Sequence, residues 1–529
     1  MLVTACRKSV GPFNHKSVSE EDNMFRTRSR SLLLAAMVAG GSVVLSGASA
    51  EEWSLSEAAK PYEGVTIRVI GEALPPLESL DQQKAAFEAE TGIMVEVEQH
   101  AFDQVIQKTS ADFIGGTGFY DAVLNPLMRV PTLVVNGWAL PLETYLNDPA
   151  LADPEFAVVD QVLSQDWLNA SLAHEGTLYG VPFSAHTIYL NWRYDVFEHP
   201  DEQAAFKEAY GYDLPSPPVT LDELRDTATF FTRDSGDMLA GETLEQPFYG
   251  LTLAGKRHVS MLYNFYNILY AYDGLVIDSA SGPEYGPVVI NNEKGVEALT
   301  FYRDLLLETC PPGALTYTWD EQLAAIQSGI AAQALLWADA SYAMAHDEEQ
   351  STVAGRVAFS GTPIGARKIV NLHQWGMFIP TSSKNPEAAA LFLQWTQRPD
   401  VQAKLMSTGS ISLTESAYHE DSVRALDYAA TNHYMLSGRV PEYDGQPALR
   451  NSGEADGVPA SYVDAVDPVT GETQPVIFKL ENFPEYATLE EILMKHLSAV
   501  LAGQMEPKEG LDAAVEEIYA EIPALAEHQ

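Results

Sequence analysis

The chain has 529 residues, 46% of them hydrophobic, enough to build more than one domain around a large core. It carries 74 acidic against 31 basic residues, a formal net charge of −43, which argues against a nucleic-acid partner and for a solvated acidic surface. Two cysteines exclude a disulfide-stapled scaffold and a multi-cysteine metal centre, so no metal or cofactor is expected.

Residues 1–50 read as a leader. Met24-Phe-Arg-Thr-Arg-Ser-Arg is a basic n-region, Ser31–Ser46 an apolar run, and Ala48-Ser49-Ala50 a small-x-small cleavage site, the parts of a secretory signal peptide, with Met24 as an alternative start. Cleavage after Ala50 leaves 25 basic against 71 acidic residues and retains only Cys310, which suits a bacterial periplasm. No cysteine follows the apolar run to carry a lipid, and no later stretch approaches the ~20 apolar residues of a membrane span, so an exported soluble protein is expected.

Past the leader, strands alternate with helices. Val65 to Ile70 reads as a buried strand, Leu77 to Glu90 as a helix with Leu77, Leu80, Lys84 and Phe87 along one stripe, and Ile93 to Gln99 as a second strand. A helix over Phe102 to Ile114 and a strand over Tyr120 to Leu124 complete a βαβαβ unit, whose parallel sheet places ligand sites beyond its strand ends. Glu175 to Phe197 is apolar like a buried strand, yet its first half holds Pro182, Ser184, His186 and Thr187. Thr220-Leu-Asp-Glu223 is a capping box for a helix with Leu221, Leu224, Ala228 and Phe231 at core spacing. Asn385-Pro386-Glu387 opens another helix with a capping side chain, and Thr488-Leu-Glu-Glu491 opens one that runs through Leu501 to Gly503. Between them, residues 431–480 are Gly/Pro/Asp-rich and aperiodic and read as an inserted surface excursion.

Catalytic motifs are poor. Gly250 to Lys256 has P-loop spacing, but Arg257 stands where a magnesium-binding Ser or Thr belongs; His174-Glu175 lacks the second histidine of a zinc-protease helix, and no G-x-S-x-G elbow occurs. Two glycosidase carboxylates could be drawn from so many acids, so an exported carbohydrate-active enzyme stays open as an alternative.

A family resemblance rests on segments in fixed order: YDAVLNP, NGWALPLETYL, GTLYGVPF followed by LNWRYDVF, VTLDELRDTATFF, FYGLTL, FYRDLL, AIQSGIAAQALLWADASYA, QWGMFIPTSSKNPEAAALFLQW and NFPEYATLEEILMKHLSAVLAG. The mature chain thereby resembles extracellular solute-binding proteins of ABC importers, the large family that includes maltose-binding protein. It departs from them in residues 431–480, in Ala332-Gln333-Ala334 where the family often has Ala-Met, and in lacking a lipid-anchor cysteine. The resemblance implies an α/β, two-lobed periplasmic-binding-protein fold of type II, each lobe a mostly parallel sheet flanked by helices, with a ligand cleft at the hinge. It implies an N-terminal lobe of residues 51–187 plus 376–428 and a C-terminal lobe of 188–375 plus 429–529, joined by crossovers near 183–189, 372–379 and 425–432.

On that basis Pro182 marks a crossover, and His186 lines the cleft or is a structural histidine. The resemblance also carries Glu72, Asn125, Arg129, Trp337, Asp339, His373, Trp375 and Tyr486 into a ligand site, whereas Tyr263, Phe265 and Tyr266 read as a helix-packing face. Aromatic rings for sugar C–H faces and planar polar groups for hydroxyls suit a sugar, oligosaccharide or polyol. The expected function is a monomeric periplasmic receptor that delivers such a ligand to ABC permease subunits, or a receptor of the same fold for another polar solute.

Overall fold

Gly92 ends the first long helix because its backbone sits at φ 72°, a left-handed conformation that side chains resist. It thereby sets the return of the chain into the sheet. In the computed structural model, which describes residues 53–528 except 127–129, 157–161, 164–167, 169–171, 279–285, 427, 451–456 and 479–482, this is the first turn of a βαβαβ unit. The leader lies outside the described residues. The unit comprises β1 (Thr66–Glu72), α1 (Pro75–Thr91), β2 (Met94–His100), α2 (Phe102–Gly115) and β3 (Ala122–Pro126). β1 lies between the other two strands and runs parallel to both. α1 buries Leu77, Leu80 and Phe87, while Lys84 on the expected stripe stays partly exposed and pairs with Asp81 at 2.6 Å.

The organising element is β4 (Gly180–Arg193). Its first half, Gly180 to Thr187, pairs antiparallel with β7 (Ile369–Phe378); its second half pairs with β5 (Gln333–Trp337) and β6 (Val357–Ser360). Pro182 is tolerated because the register slips between Trp375 and Gly376, opposite it. β7 also joins β3 antiparallel and β8 (Val476–Phe478) parallel, so one eight-stranded sheet runs β6–β4–β7–β3–β1–β2, with β5 on β4 and β8 on β7. The sheet is mixed. Parallel pairing dominates only at β2–β1–β3, because β4 and β7 carry the chain out and back and must run in opposite directions.

Helices cover both faces. α3 (Leu221–Phe231) carries the expected capping box, and α4 (Val259–Ala271) is buried along its whole length, as an all-round apolar helix must be. Then come α5 (Glu293–Thr309), α6 (Trp319–Gln327), α7 (Ala338–His346), α8 (Pro386–Trp395), α9 (Pro399–Met406), α10 (Ala429–Ser437), α11 (Tyr486–Leu501) and α12 (Pro507–Glu521). Two helix starts differ from the sequence reading. Asn385 does not cap α8; its side-chain amide donates instead to the Thr66 carbonyl and to Asp121, each at 3.4 Å, which turns it away from the helix N–H groups. α11 begins two residues ahead of Thr488, because Tyr486 is drawn into the core and takes the helix start with it.

Core membership changes along the crossing strands. Val181 and Phe183 belong to a core with Ile67, Phe87, Met377 and Phe392, where Phe87 meets Phe392 at 5.1 Å. Ile188 and Leu190 belong to a second core built on α4, α5 and α11, and Ala185, Tyr189 and Val370 to a third on the opposite sheet face. A third segment meets β4 at Ile411. Ala185 donates to the carbonyl of Ile411 at 2.8 Å, and Ile411 to Ser184 Oγ at 3.1 Å. Residues 429–436, by contrast, are buried in α10.

The segment 431–480 is more than a surface excursion. Lys368 is fully buried and its ammonium donates to Tyr434 Oη at 3.0 Å and to the carbonyls of Tyr462, Ala465 and Thr473 at 2.6, 2.9 and 2.7 Å. Asp467, also fully buried, accepts from the Lys368 backbone N–H at 2.8 Å and from Arg367 Nε at 3.0 Å. Such single-residue anchors have no periodicity, which is why composition suggested a loop. Burial alone would raise the Asp467 carboxyl, but the N–H groups of Thr470 and Lys368 and the Arg367 guanidinium outweigh it and hold the group at about 2. A depressed carboxylate contributes stability above its unfolded value, lost as pH falls through the folded one. Asp467→Asn is therefore expected to lower stability at neutral pH by about 2 kcal/mol. Urea unfolding should show this difference shrinking as pH falls from 4 toward 2; a difference that persists unchanged to pH 2 assigns the loss to packing.

Candidate functional site

The carboxyl ends of β1 and β2 face the second half of the molecule, the place where an open parallel sheet takes ligands. β1 ends on Glu72, paired in register with His100. Glu72 is 9% exposed, although glutamate is among the residues least often buried. The chain then enters α2 through Phe102 and Asp103. From the other half, β5 ends on Trp337, Asp339 lies in the first turn of α7, and Trp319 and Asp320 open α6 behind the Thr318–Glu321 capping box.

Rings join the two halves. Phe102 meets Trp319 edge to face at 5.7 Å, and His258, at the start of α4, packs against Trp319 at 4.8 Å. Tyr263 stands edge-on to Trp337 at 5.7 Å, and its hydroxyl donates to Glu490 at 2.9 Å. Its α4 face, expected to be packing alone, therefore also supports the aromatic wall.

The electrostatics are lopsided. The Glu72 carboxyl is pushed well above the usual carboxylate range, first by burial and then by the neighbouring charges of Asp339, Asp320 and Asp103. Burial also raises Asp320, with Glu321 adding and His258 and Lys256 opposing. His258 is lowered by burial, the acids around it compensating only in part. The site thus offers aromatic faces, buried or half-buried carboxyls and no nucleophile paired with a base. Among the described residues no group of three or more His, Cys, Asp or Glu side chains is placed to hold a metal ion.

The residues singled out in the sequence divide into three sets. Glu72, Trp337 and Asp339 are brought together from the two halves. Asn125, at the end of β3, pairs in register with Gly376; His373 pairs with His186, and Trp375 with both Ser184 and Pro126. For Asn125, His186, His373 and Trp375 only the backbone is described, and Arg129 lies outside the described residues. Tyr486 is different. It is 1% exposed, with its ring 6.0 Å from Phe483 and its hydroxyl 3.4 Å from that of Tyr266, so it packs in the core of the second half rather than on a cleft wall.

Sequence reasoning missed Phe102, Asp103, Trp319, Asp320 and Asn371. Asn371 is fully buried on β7, and neither atom of its amide has a hydrogen-bond partner in the described structure. It sits one step along from the Leu372–Thr187 pair, which puts it in one cross-strand row with Ile188 and Trp337. A lone amide within Ile369-Val-Asn-Leu was the available signal. The P-loop spacing at Gly250 to Lys256 has no such role. Leu251, Leu253 and Ala254 are fully buried, and the N–H groups of Thr252 and Ala254 are committed to Gln333 and Asn264.

Comparison with known proteins follows the same lines. The profile of the bacterial extracellular solute-binding proteins matches residues 74–403. A mannitol-binding protein of Pseudomonas aeruginosa is 25% identical over 432 residues, covering 79% of this chain and 83% of that relative. An ABC transporter solute-binding protein from Agrobacterium radiobacter K84, solved in complex with ribitol, superposes with a TM-score of 0.67 at 23% identity over 86% of this chain and 98% of that one. One from Agrobacterium vitis S4 with bound D-mannitol gives 0.64 at 21% identity over 87% and 98%. These likenesses show a two-lobed type II periplasmic-binding-protein fold. With the matched profile spanning more than half of its length, the chain belongs to the bacterial extracellular solute-binding proteins.

Proposed function

We propose that this protein is a non-enzymatic receptor, exported to the periplasm, that captures a sugar, oligosaccharide or polyol between its lobes and delivers it to ABC permease subunits. One observation carries the reading: at the carboxyl end of β1 the buried Glu72 carboxyl feels the charge of Asp339, two residues past Trp337, while Phe102 and Trp319 bring the halves into ring contact. Trp337 supplies stacking area for C–H faces, and the carboxyls supply planar hydrogen-bonding groups for hydroxyls. That relatives bind mannitol and ribitol supports a small polyhydroxylated ligand. Two lobes of residues 51–187 plus 376–428 and 188–375 plus 429–529, the last passage displaced toward Ile411, move as bodies about the crossing strands.

Calorimetric titration with sugars and polyols tests the reading. Saturable binding without product is expected, and turnover of any glycoside in stoichiometric excess would establish the enzyme alternative. Small-angle scattering at saturating ligand should show a smaller radius of gyration than the free protein, as closure of a hinge requires. An unchanged radius with binding shown independently would rule out closure.

Trp337→Ala is expected to weaken binding by about 2 kcal/mol, roughly 30-fold, as loss of a desolvated aromatic anchor does. His186→Ala, removing a hydrogen bond at the crossover, should cost ~1–2 kcal/mol and so less than the tryptophan. Neither should move the melting temperature of the free protein by more than a few degrees, about 1 kcal/mol at the midpoint. Large losses of stability with normal affinity would assign both residues to packing.

A further inference from the structure

Away from the crossing strands the two halves also touch each other directly. Phe102, at the start of α2 in the first half, meets Trp319, at the start of α6 in the second, with ring centroids 5.7 Å apart and planes at 83°. The Phe102 side chain packs against both the core of the first half and the one built on α4, α5 and α11. Trp319 is held from behind by His258 at 4.8 Å, and His258 is itself fixed as the N-cap of α4, where its Nδ1 accepts from the Ser260 N–H at 3.2 Å. A further tie is independent of the rings. The Thr132 hydroxyl donates to the Pro484 carbonyl at 3.0 Å, joining the short helix Val130–Val135 of the first half to the residues that lead into α11.

These contacts are suited to making and breaking. Phe102 and Trp319 are both only partly buried, so parting the rings empties no fully packed site, and Thr132 and Pro484 lie at the same intermediate depth, where water can replace a lost hydrogen bond. A ring pair and a hydrogen bond are short-ranged, so a modest opening between the halves removes both. Neither needs a ligand atom to form. We infer that the Phe102–Trp319 and Thr132–Pro484 contacts form a latch that biases the halves toward the closed arrangement, with Phe102 and Thr132 as positioning residues. They set how much of the free protein is already closed, and through that fraction the apparent affinity for any ligand the cleft takes. This inference rests on the receptor reading above and concerns its closing step rather than its ligand. A ring pair or a neutral hydrogen bond shifts such an equilibrium by about three- to tenfold, and the apparent affinity falls with the competent fraction.

Two substitutions isolate the latch: Phe102→Leu removes the ring edge while keeping apolar volume, and Thr132→Val removes the hydroxyl while keeping shape. Small-angle scattering of the purified proteins without ligand is the first measurement. Both variants are expected to show a larger radius of gyration than the unaltered protein, and the double variant a larger one still, with melting temperatures within a few degrees. Calorimetric titration with D-mannitol, ribitol and maltose is the second. Each ligand that binds the unaltered protein is expected to bind each variant about three- to tenfold more weakly, by the same factor from ligand to ligand, and the radii at saturation should coincide. Should Phe102→Leu fail to fold, Thr132→Val carries the test by itself. Free-protein radii equal to that of the unaltered protein overturn the latch and leave the receptor reading intact. A loss of affinity that differs between ligands, with the free radius unchanged, assigns Phe102 to ligand contact and overturns it as well. If no sugar or polyol binds, the receptor reading falls and the latch's role in capture falls with it, while the scattering comparison still decides whether the contacts hold the halves together.

Discussion

The structure depends on one pairing, that of β4 with β7. Each strand starts in one hydrophobic core and ends in another, so the same backbone ladder that ties the halves together also carries the boundary between them. A strand can do this because its hydrogen bonds are indifferent to side chains, whereas the packing on its faces is not. Phe183 and Ala185 are two residues apart on one side of the same strand and yet belong to different cores. The two ladder strands and the backbone contact with Ile411 are thus the place where apolar packing changes hands.

The same constraint decides which polar groups are buried. Side chains at strand ends beside this boundary are shielded by the opposite half without being packed into either core. Glu72 and Asp339 sit there, and their burial raises the energetic weight of any group that pairs with them. The surface charge of the protein acts differently. A net −43 spread along the chain keeps the exterior solvated, and exposed ion pairs such as Lys60–Glu57 and Lys207–Asp213 are worth little individually. The carboxyls that matter are those removed from solvent.

Buried ionic anchors also explain why a segment with loop composition is structural. Lys368 fills a ring of backbone carbonyls and lies 4.7 Å from the Tyr462 ring, and Tyr462 in turn fills the space left by Gly361, where a Cβ would lie 2.2 Å from it. Asp467 receives four N–H donors at the same junction. This places α10 and β8 against strand β7 itself, so the described part of residues 431–480 is tied to the sheet rather than to the surface.

Periodicity and end signals in the sequence determined the βαβαβ unit, the capping box at Thr220, the core stripes of α1 and α3, and the family, because these follow from local spacing that tertiary contacts reinforce. The order of its segments also nominates Glu72, Trp337 and Asp339 as candidates for the site. Only the tertiary structure decided the rest. The Asn385 amide turned toward Thr66 and Asp121, Tyr486 moved into the core, Ile411 joined the backbone of β4, and Phe102 met Trp319. Each of these depends on a partner far away in the chain, and no local pattern encodes the identity of a distant neighbour.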